Sequence, residues 1–195
     1  MGKTRLEAFS DGVIAILITI MVLELKVPEG GDFNALRPVL PHLLSYLLSF
    51  VYLAIYWNNH HHMLQATHRV NGKILWANSH LLFWLSLVPA ATAWLGDHVK
   101  AAIPTATYGL IFFFAGLAYF VLQQCIIAQE GRDSQLAKAI GSDRKGMASA
   151  ALYAASVGLA FVSPIFSDLI FILVAAWWLV PDRRIESTIS DSADN

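Results

Sequence analysis

The sequence predicts an all-α polytopic membrane protein with six transmembrane helices. Apolar residue types make up 56% of its 195 residues and charged types only 14%, whereas an ordinary soluble domain carries about 25% charge. The charged residues gather in short stretches between long uncharged blocks, and the basic ones alternate from one connecting segment to the next. The net charge of −1 excludes a basic nucleic-acid-binding protein, and the single cysteine excludes an internal disulfide.

Six segments are long and apolar enough to be read as spans. A membrane-crossing helix needs about 20 apolar residues, because each adds about 1.5 Å across a hydrocarbon core about 30 Å thick. The predicted spans are residues 5–25, 41–57, 74–95, 105–128, 147–162 and 165–180. Only Ser163-Pro164 divides the last two, so they also fit one broken hairpin. We expect a six-helix transmembrane domain at 1–184 and a polar, disordered tail at 185–195.

The basic residues predict the orientation of these spans. Six spans leave both termini on one face, and ten basic residues fall on that face: Lys3, Arg5, Arg69, Lys73, Arg132, Lys138, Arg144, Lys145, Arg183 and Arg184. The other face has three: Lys26, Arg37 and Lys100. Because cytoplasmic loops carry the excess of Lys and Arg, both termini are predicted to be cytoplasmic. A cleaved signal peptide fits less well, because Asp11 interrupts the apolar run and no small-x-small site follows it.

The first predicted helix is unusual in its charge spacing. Only twelve uncharged residues separate Asp11 from Glu24, and about 18 Å of helix is too short to cross the hydrocarbon alone. Ionisable groups in a transmembrane helix usually face a bundle interior or an aqueous cavity. We therefore expect this helix to be central rather than lipid-facing.

The first helix also carries two stripes at three- and four-residue steps. One stripe is formed by Gly12, Ile16, Thr19, Ile20 and Leu23, and a neighbouring stripe by Asp11, Ala15, Ile18 and Val22. If several copies surround an axis, the first stripe gives successive rings that begin at Ile16 and end at Leu23. Ordinary helix packing, with the Thr19 hydroxyl bonded back to the carbonyl of Ala15, is the other interpretation, and periodicity leaves both open.

A motif at the start of this helix resembles a known family. The run Arg5-Leu6-Glu7-Ala8-Phe9-Ser10-Asp11 reads Arg-x-x-x-Phe-Ser-Asp and is followed by Gly-Val-Ile-Ala-Ile. The predicted second span ends in Trp57-Asn58-Asn59-His60-His61-His62. Both runs resemble the transmembrane protein 175 family, the potassium channels of endolysosomes and their bacterial relatives.

The resemblance implies a potassium-permeable channel whose first helices line a central pore. It places the narrowest apolar ring on Ile16 and further pore-lining positions on Thr19, Ile20 and Leu23. Animal members carry two six-span repeats per chain and this sequence carries one, so a homotetramer is implied, with membrane lipid and K⁺ as its other partners. A ring of this kind excludes ions by dewetting, and K⁺ loses its water more readily than Na⁺, so a moderate preference for K⁺ is expected. No cofactor and no enzymatic activity are implied.

The residues of the motif are expected to anchor the pore helix. Arg5, Ser10 and Asp11 are predicted to pair with other elements, and His60–His62 are candidate partners for Ser10 and Asp11. The network implied by the resemblance consists of Arg5, Phe9, Ser10, Asp11, Trp57, His60 and His61. Direct contact of Asp11 with ions at a cytoplasmic vestibule is the alternative role.

Other functions are weighed on the same residues. A metal centre is not expected, because the histidines form a single cluster at 60–62 rather than several separated groups. A proton-coupled secondary transporter using Asp11 and the histidines is the alternative function. Such transporters usually contain an internal repeat, and the Phe-Ser-Asp opening does not recur at the fourth span. Asn78 and His80 in the third span are interpreted as interhelical hydrogen-bonding residues.

Overall fold

A computed structural model describes residues 2–131, 133–141 and 143–179 of the chain. The regular structure within these ranges is helical. The α-helices are α1 (Lys3–Leu23), α2 (Leu40–Gln65), α3 (Gly72–Ser86), α4 (Val88–Asp97), α5 (Ala102–Glu130), α6 (Gln135–Ile140), α7 (Arg144–Ala160) and α8 (Pro164–Leu179), and a short 3-10 helix lies at Phe33–Leu36. The predicted tail at 185–195 lies outside the described residues, as do 180–184 of the predicted transmembrane domain.

Four helical segments of the described chain are long and apolar enough to cross a membrane: Lys3–Leu23, Leu40–Gln65, Gly72–Asp97 and Ala102–Glu130. The prediction of an all-helical membrane protein is confirmed for these segments. The last two helices, α7 and α8, have 17 and 16 described residues and are shorter than these four segments. They pack as an antiparallel pair, since Ser167 Oγ donates to the carbonyl of Ser156 and Trp178 Nε1 to Ser149 Oγ.

Two predicted spans differ from the observed helices. The second continues to Gln65, about two turns beyond Trp57, so the histidine run is helical. The third is divided at Leu87, which ends α3 and begins α4. Pro89 explains the division, because it lacks an amide hydrogen and its ring clashes with the carbonyl four residues earlier.

The segment between the fourth and fifth spans, 130–146, is expected from its mixed charge to be a solvated linker, and this is wrong in part. It contains the short helix α6, whose N-cap Ser134 accepts a hydrogen bond from the amide of Ala137. Leu136 in this helix is buried and belongs to the apolar core. One apolar residue among polar neighbours gives no periodic signal, which is why the sequence does not predict it.

The longest helix, α5, forms the centre of the bundle. It packs against α3, α4, α7 and α8, whereas α1 packs mainly against α2, α3 and α4. Aromatic rings fill the middle of the core, with Tyr52 and Phe112 centred 4.3 Å apart and Tyr108 and Phe171 5.1 Å apart. Within one chain α1 therefore lies on one side of the bundle, not in its centre as its charge spacing predicts.

Buried hydroxyl groups connect the helices through this apolar core. Ser49 Oγ lies 2.7 Å from Thr92 Oγ1 and 2.9 Å from the hydroxyl of Tyr108, which links α2 to α4 and α5. The Tyr52 hydroxyl donates to the carbonyl of Phe171 in α8 at 2.7 Å. A buried hydroxyl without a partner would be costly in an apolar environment, so these pairings also fix the relative positions of the helices.

A glycine sets the close approach of α5 to α7 and α8. A Cβ atom added at Gly109 would lie 2.7 Å from Ser156 Oγ and 3.2 Å from Phe171 Cζ. Both neighbours are fully buried, so they have little room to move.

We expect Gly109→Leu to lower the thermal midpoint of the detergent-solubilised protein, because overpacking a core costs about 1–3 kcal/mol. The matched control is Gly158→Leu in α7, where an added Cβ would meet nothing within 4 Å. Fluorescence-detected size exclusion after heating measures both midpoints. Equal midpoints for the two variants would show that the α5–α7–α8 contact tolerates a side chain.

Candidate functional site: the first helix and its anchor

The two faces of α1 have different surroundings. One face is buried against the neighbouring helices: Leu6, Ser10, Ile14, Leu17 and Met21. The stripe predicted from the sequence lies on the other face, where Ile16 is 58%, Ile20 39% and Leu23 82% exposed, and Gly12 and Thr19 are exposed as well. Among the described residues, this stripe is left largely uncovered, and it spans most of the length of α1.

Thr19 is the polar residue of the exposed stripe. Its Oγ1 donates to the carbonyl of Ile16 at 2.8 Å, three residues back. The packing interpretation of the stripe puts this bond on Ala15, four residues back. The hydroxyl proton is thus bound to the helix backbone. The oxygen lone pairs remain available on the exposed face, where they can accept a hydrogen bond or contact a cation.

A buried hydrogen-bonded chain joins the other face of α1 to α3 and α2. Asn78 Nδ2 donates to Ser10 Oγ at 2.9 Å, and Asn78 Oδ1 lies 2.7 Å from His60 Nε2. Because that amide oxygen is an acceptor, Nε2 of His60 must carry the hydrogen and donate it. All three side chains are fully or almost fully buried. We call this hydrogen-bonded group of Ser10, Asn78 and His60 the anchor.

A second contact joins α1 to α2 one residue further along. Trp57 Nε1 donates to Asp11 Oδ1 at 2.9 Å, and the Trp57 indole stacks on the ring of His61 with centroids 5.9 Å apart. The direct partners of Ser10 and Asp11 are therefore Asn78 and Trp57, not the histidines expected from the sequence. His60 contacts Asn78, the partner of Ser10, and His61 contacts Trp57, the partner of Asp11.

The structure does not bring every motif residue into these contacts. Arg5 and Phe9 are exposed, on the same side of α1 as the predicted stripe. The Arg5 side chain has no ion pair or hydrogen bond with the described residues. His62 packs edge-on to His61, with centroids 5.6 Å apart. No group of three or more metal-ligating side chains occurs in the described ranges.

The interhelical hydrogen bonding predicted for Asn78 is confirmed, but the sequence does not identify its partners. A single amide in an apolar span predicts an interhelical hydrogen bond, but its partners lie 68 and 18 residues away. Only the rotation of α1, α2 and α3 about their axes brings the three side chains together.

The opposite end of α1 is also held. Lys26, just after the helix, pairs with Asp97 at the end of α4, and His42 Nε2 of α2 lies 2.9 Å from the same carboxylate oxygen. Between the two ends, Met21 Sδ lies 3.8 Å from Thr92 Oγ1. Contacts near both ends therefore fix which face of α1 is covered and which is free.

Comparison with known proteins places this arrangement in a family. The family model described as "Endosomal/lysosomal potassium channel TMEM175" matches residues 5–89. A protein of Chryseobacterium sp. (strain P1-3) that is named as a potassium channel is 51% identical over 192 residues, which cover 98% of this chain and 100% of that protein. The chain belongs to the TMEM175 family.

Two further similarities extend over most of the chain. A Streptomyces collinus protein named as a potassium channel is 32% identical over 178 residues, covering 82% of each chain. A crystal structure described as a lysosomal potassium-selective channel TMEM175 homolog from Chamaesiphon minutus superposes with a TM-score of 0.78 at 27% identity, covering 92% of this chain and 97% of that one. The TMEM175 family model spans residues 5–89 and so covers α2, α3 and all but the first two residues of α1, the helices that carry the anchor.

We expect Asn78→Leu to destabilise this TMEM175-family protein by about 1–3 kcal/mol, because the buried His60 donor and Ser10 acceptor lose their partner. The thermal midpoint in detergent should fall accordingly. The control is Ser79→Ala on the same helix, since Ser79 is exposed and its hydroxyl bonds only its own helix, at the carbonyl of Leu75. If Asn78→Leu is as stable as Ser79→Ala, the anchor contributes nothing to stability.

Proposed function

We propose that the chain forms a potassium-permeable cation channel, with α1 from each subunit of a homotetramer lining a central pore in a bacterial inner membrane. The observation that carries the proposal is the uncovered stripe on α1, the helix with the Arg-x-x-x-Phe-Ser-Asp motif, opposite a face that is fully packed. The names of the Chryseobacterium and Streptomyces relatives and the described selectivity of the Chamaesiphon channel support it.

Self-association follows from the shape of the site. A single helix cannot enclose a column of water, so a pore lined by α1 needs several copies of it. Helices packed 8–10 Å apart around an axis bring side chains of the size of isoleucine close enough to close it. In this arrangement Ile16 forms the constriction, and Ile20 and Leu23 continue the lining toward the other end.

The chemistry of the lining explains the proposed selectivity. An apolar ring at Ile16 offers no oxygen to replace the hydration shell of an ion, so it limits conduction by dewetting. K⁺ releases its water more readily than Na⁺ and meets the lower barrier. One turn beyond Ile16, the lone pairs of the Thr19 hydroxyl oxygens replace some of the water contacts that the ion has lost. The expected result is a moderate preference for K⁺.

The anchor acts in this proposal as a positioning device. The rotation of α1 decides whether Ile16 or a neighbouring residue faces the axis, and the bonds of Ser10 and Asp11 oppose that rotation. The excess of basic residues on one face supports an orientation with both termini in the cytoplasm.

Substitution of the constriction tests the proposal. We expect Ile16→Asn to raise single-channel conductance several-fold in planar bilayers and to reduce the preference for K⁺, because an amide side chain holds water in the narrow region. The control is Ile172→Asn in α8, since Ile172 is 54% exposed, similar to Ile16, and lies in a helix remote from α1. Unchanged conductance and reversal potential in Ile16→Asn would refute a constriction at this residue.

The same recordings separate a channel from the proton-coupled transporter. A channel gives a passive current whose reversal potential follows the K⁺ and Na⁺ gradients. A coupled carrier shifts its reversal potential with the proton gradient as well. A reversal potential that tracks pH at fixed K⁺ and Na⁺ would favour the transporter.

Assembly around α1 is tested by cross-linking. Cys125 is the single cysteine of the chain, so Cys125→Ser gives a background without thiols. In that background we expect Leu23→Cys to form a disulfide-linked dimer on mild oxidation, because Leu23 is the most exposed large apolar residue of the stripe and would meet its copies at the axis. Ile172→Cys is the control that should remain monomeric on a denaturing gel, and native mass spectrometry in detergent should count four chains. Absence of the Leu23→Cys dimer from an assembly of four would place α1 away from the axis.

A further inference from the structure

A cavity of about 340 Å³ lies between α2, α5, α7 and α8. Its wall is mainly aromatic and apolar, with Tyr56, Gly116, Leu117, Phe120, Met147 and Tyr153 among the lining residues. No residue of α1 lines it, so this site is separate from the proposed pore.

Several polar groups of the wall are already paired within the protein. The Tyr52 hydroxyl donates to the carbonyl of Phe171, and the Tyr119 hydroxyl to the carbonyl of Asn59. Trp178 Nε1 donates to Ser149 Oγ at 2.8 Å. An ordered water molecule needs two to four polar partners, and this wall has few to offer. The cavity therefore suits an apolar occupant.

The side opening of the cavity points to the source of that occupant. Leu117 and Phe120 of α5 and Met147 of α7 line the cavity and are also exposed on the outer surface of the bundle. Exposed apolar side chains of this size suit contact with the hydrocarbon of a bilayer, so the cavity would open toward lipid. A water-soluble ligand would have to enter the bilayer to reach this opening, whereas the acyl chains of lipids are already in the bilayer.

Two basic residues, Arg144 and Lys145, lie in the sequence between Asp143 and Gly146, which line the cavity. Arg144 is exposed in the first turn of α7, and Lys145 Nζ lies 4.6 Å from the centre of the Trp178 ring, which lines the cavity. Asp143 is the acidic group here, and its carboxylate accepts from the amide of Gly146 as the N-cap of α7. Tryptophan is typical of the membrane interface, and Lys and Arg there attract anionic lipid headgroups.

We propose that this cavity binds one acyl chain of an anionic phospholipid, with the lipid phosphate at Arg144 and Lys145. Liquid water takes roughly 30 Å³ per molecule and a methylene group is of similar size, so the cavity has room for about ten methylenes. The lipid comes from the cytoplasmic leaflet in the orientation proposed above. The site fixes α7 against α2 and α5 through the lipid chain.

Fluorescence quenching by brominated lipid tests the site in the full-length protein. The chain has six tryptophans, so the Trp178 signal is taken as the difference between the native protein and Trp178→Phe. In vesicles we expect brominated phosphatidylglycerol to quench this signal at lower mole fraction than brominated phosphatidylcholine, by about fivefold, the usual contribution of one basic residue near an anionic surface.

Two kinds of variant separate the cavity from its rim. Gly116→Leu fills the cavity from α5 and should abolish the preferential quenching, and Gly158→Leu, where an added Cβ meets nothing within 4 Å, should retain it. Should Gly116→Leu not fold, Ala150→Leu fills the cavity from α7. Arg144→Gln should bring phosphatidylglycerol to the level of phosphatidylcholine, whereas Arg69→Gln, exposed on another segment, should not.

Two results would overturn the proposal. Equal quenching by both lipids in the native protein would mean that Trp178 meets only ordinary boundary lipid. Preferential quenching that survives both cavity-filling variants would place the lipid outside the cavity. Neither result bears on the channel, since conductance of Ile16→Asn is measured independently.

Discussion

The hydrogen bond from Asn78 to Ser10 is the interaction on which the arrangement of α1 depends. It joins two buried side chains on different helices, and His60 completes it from a third. In apolar surroundings a broken bond of this kind leaves polar groups without partners, so the alternative rotations of α1 are costly. A helix of almost continuous apolar character thus has one preferred orientation. Together with the contacts of Asp11 with Trp57 and of Lys26 with Asp97, this bond decides which face of α1 is packed and which is free.

Much of the fold follows from the sequence because the relevant signals are local. Four spans are found close to their predicted positions, since hydropathy over about 20 residues is a strong signal. The stripe at Ile16 is also exposed where helical periodicity puts it, although its contact with a pore remains a prediction. The division at Leu87 and the extension of α2 to Gln65 are not predicted. The first depends on one proline within an apolar run and the second on polar residues that find partners in other helices.

The contacts of the site are less predictable because they are long-range. The residue types at Ser10, Asp11 and His60 indicate a polar network, but their direct partners depend on how three helices are rotated. The resemblance places Trp57 in the network, and its indole nitrogen is the donor to Asp11. The position of α1 within the bundle also differs from the prediction, for another reason. Its charged ends predict a sheltered helix, and within one chain they find shelter on one side only, which leaves the other side for association.

The hydroxyl of Thr19 has a consequence for the sign of the permeant ion. Its proton is bound to the carbonyl of Ile16, so the hydroxyl turns only its electron-rich side toward the open face of α1. In a pore lined by that face, chloride would meet oxygen lone pairs and no donor at this level, and would be repelled. The hydrogen bond from Thr19 to the helix backbone would therefore favour cations over anions in such a pore. This selection by charge is separate from the selection of K⁺ over Na⁺.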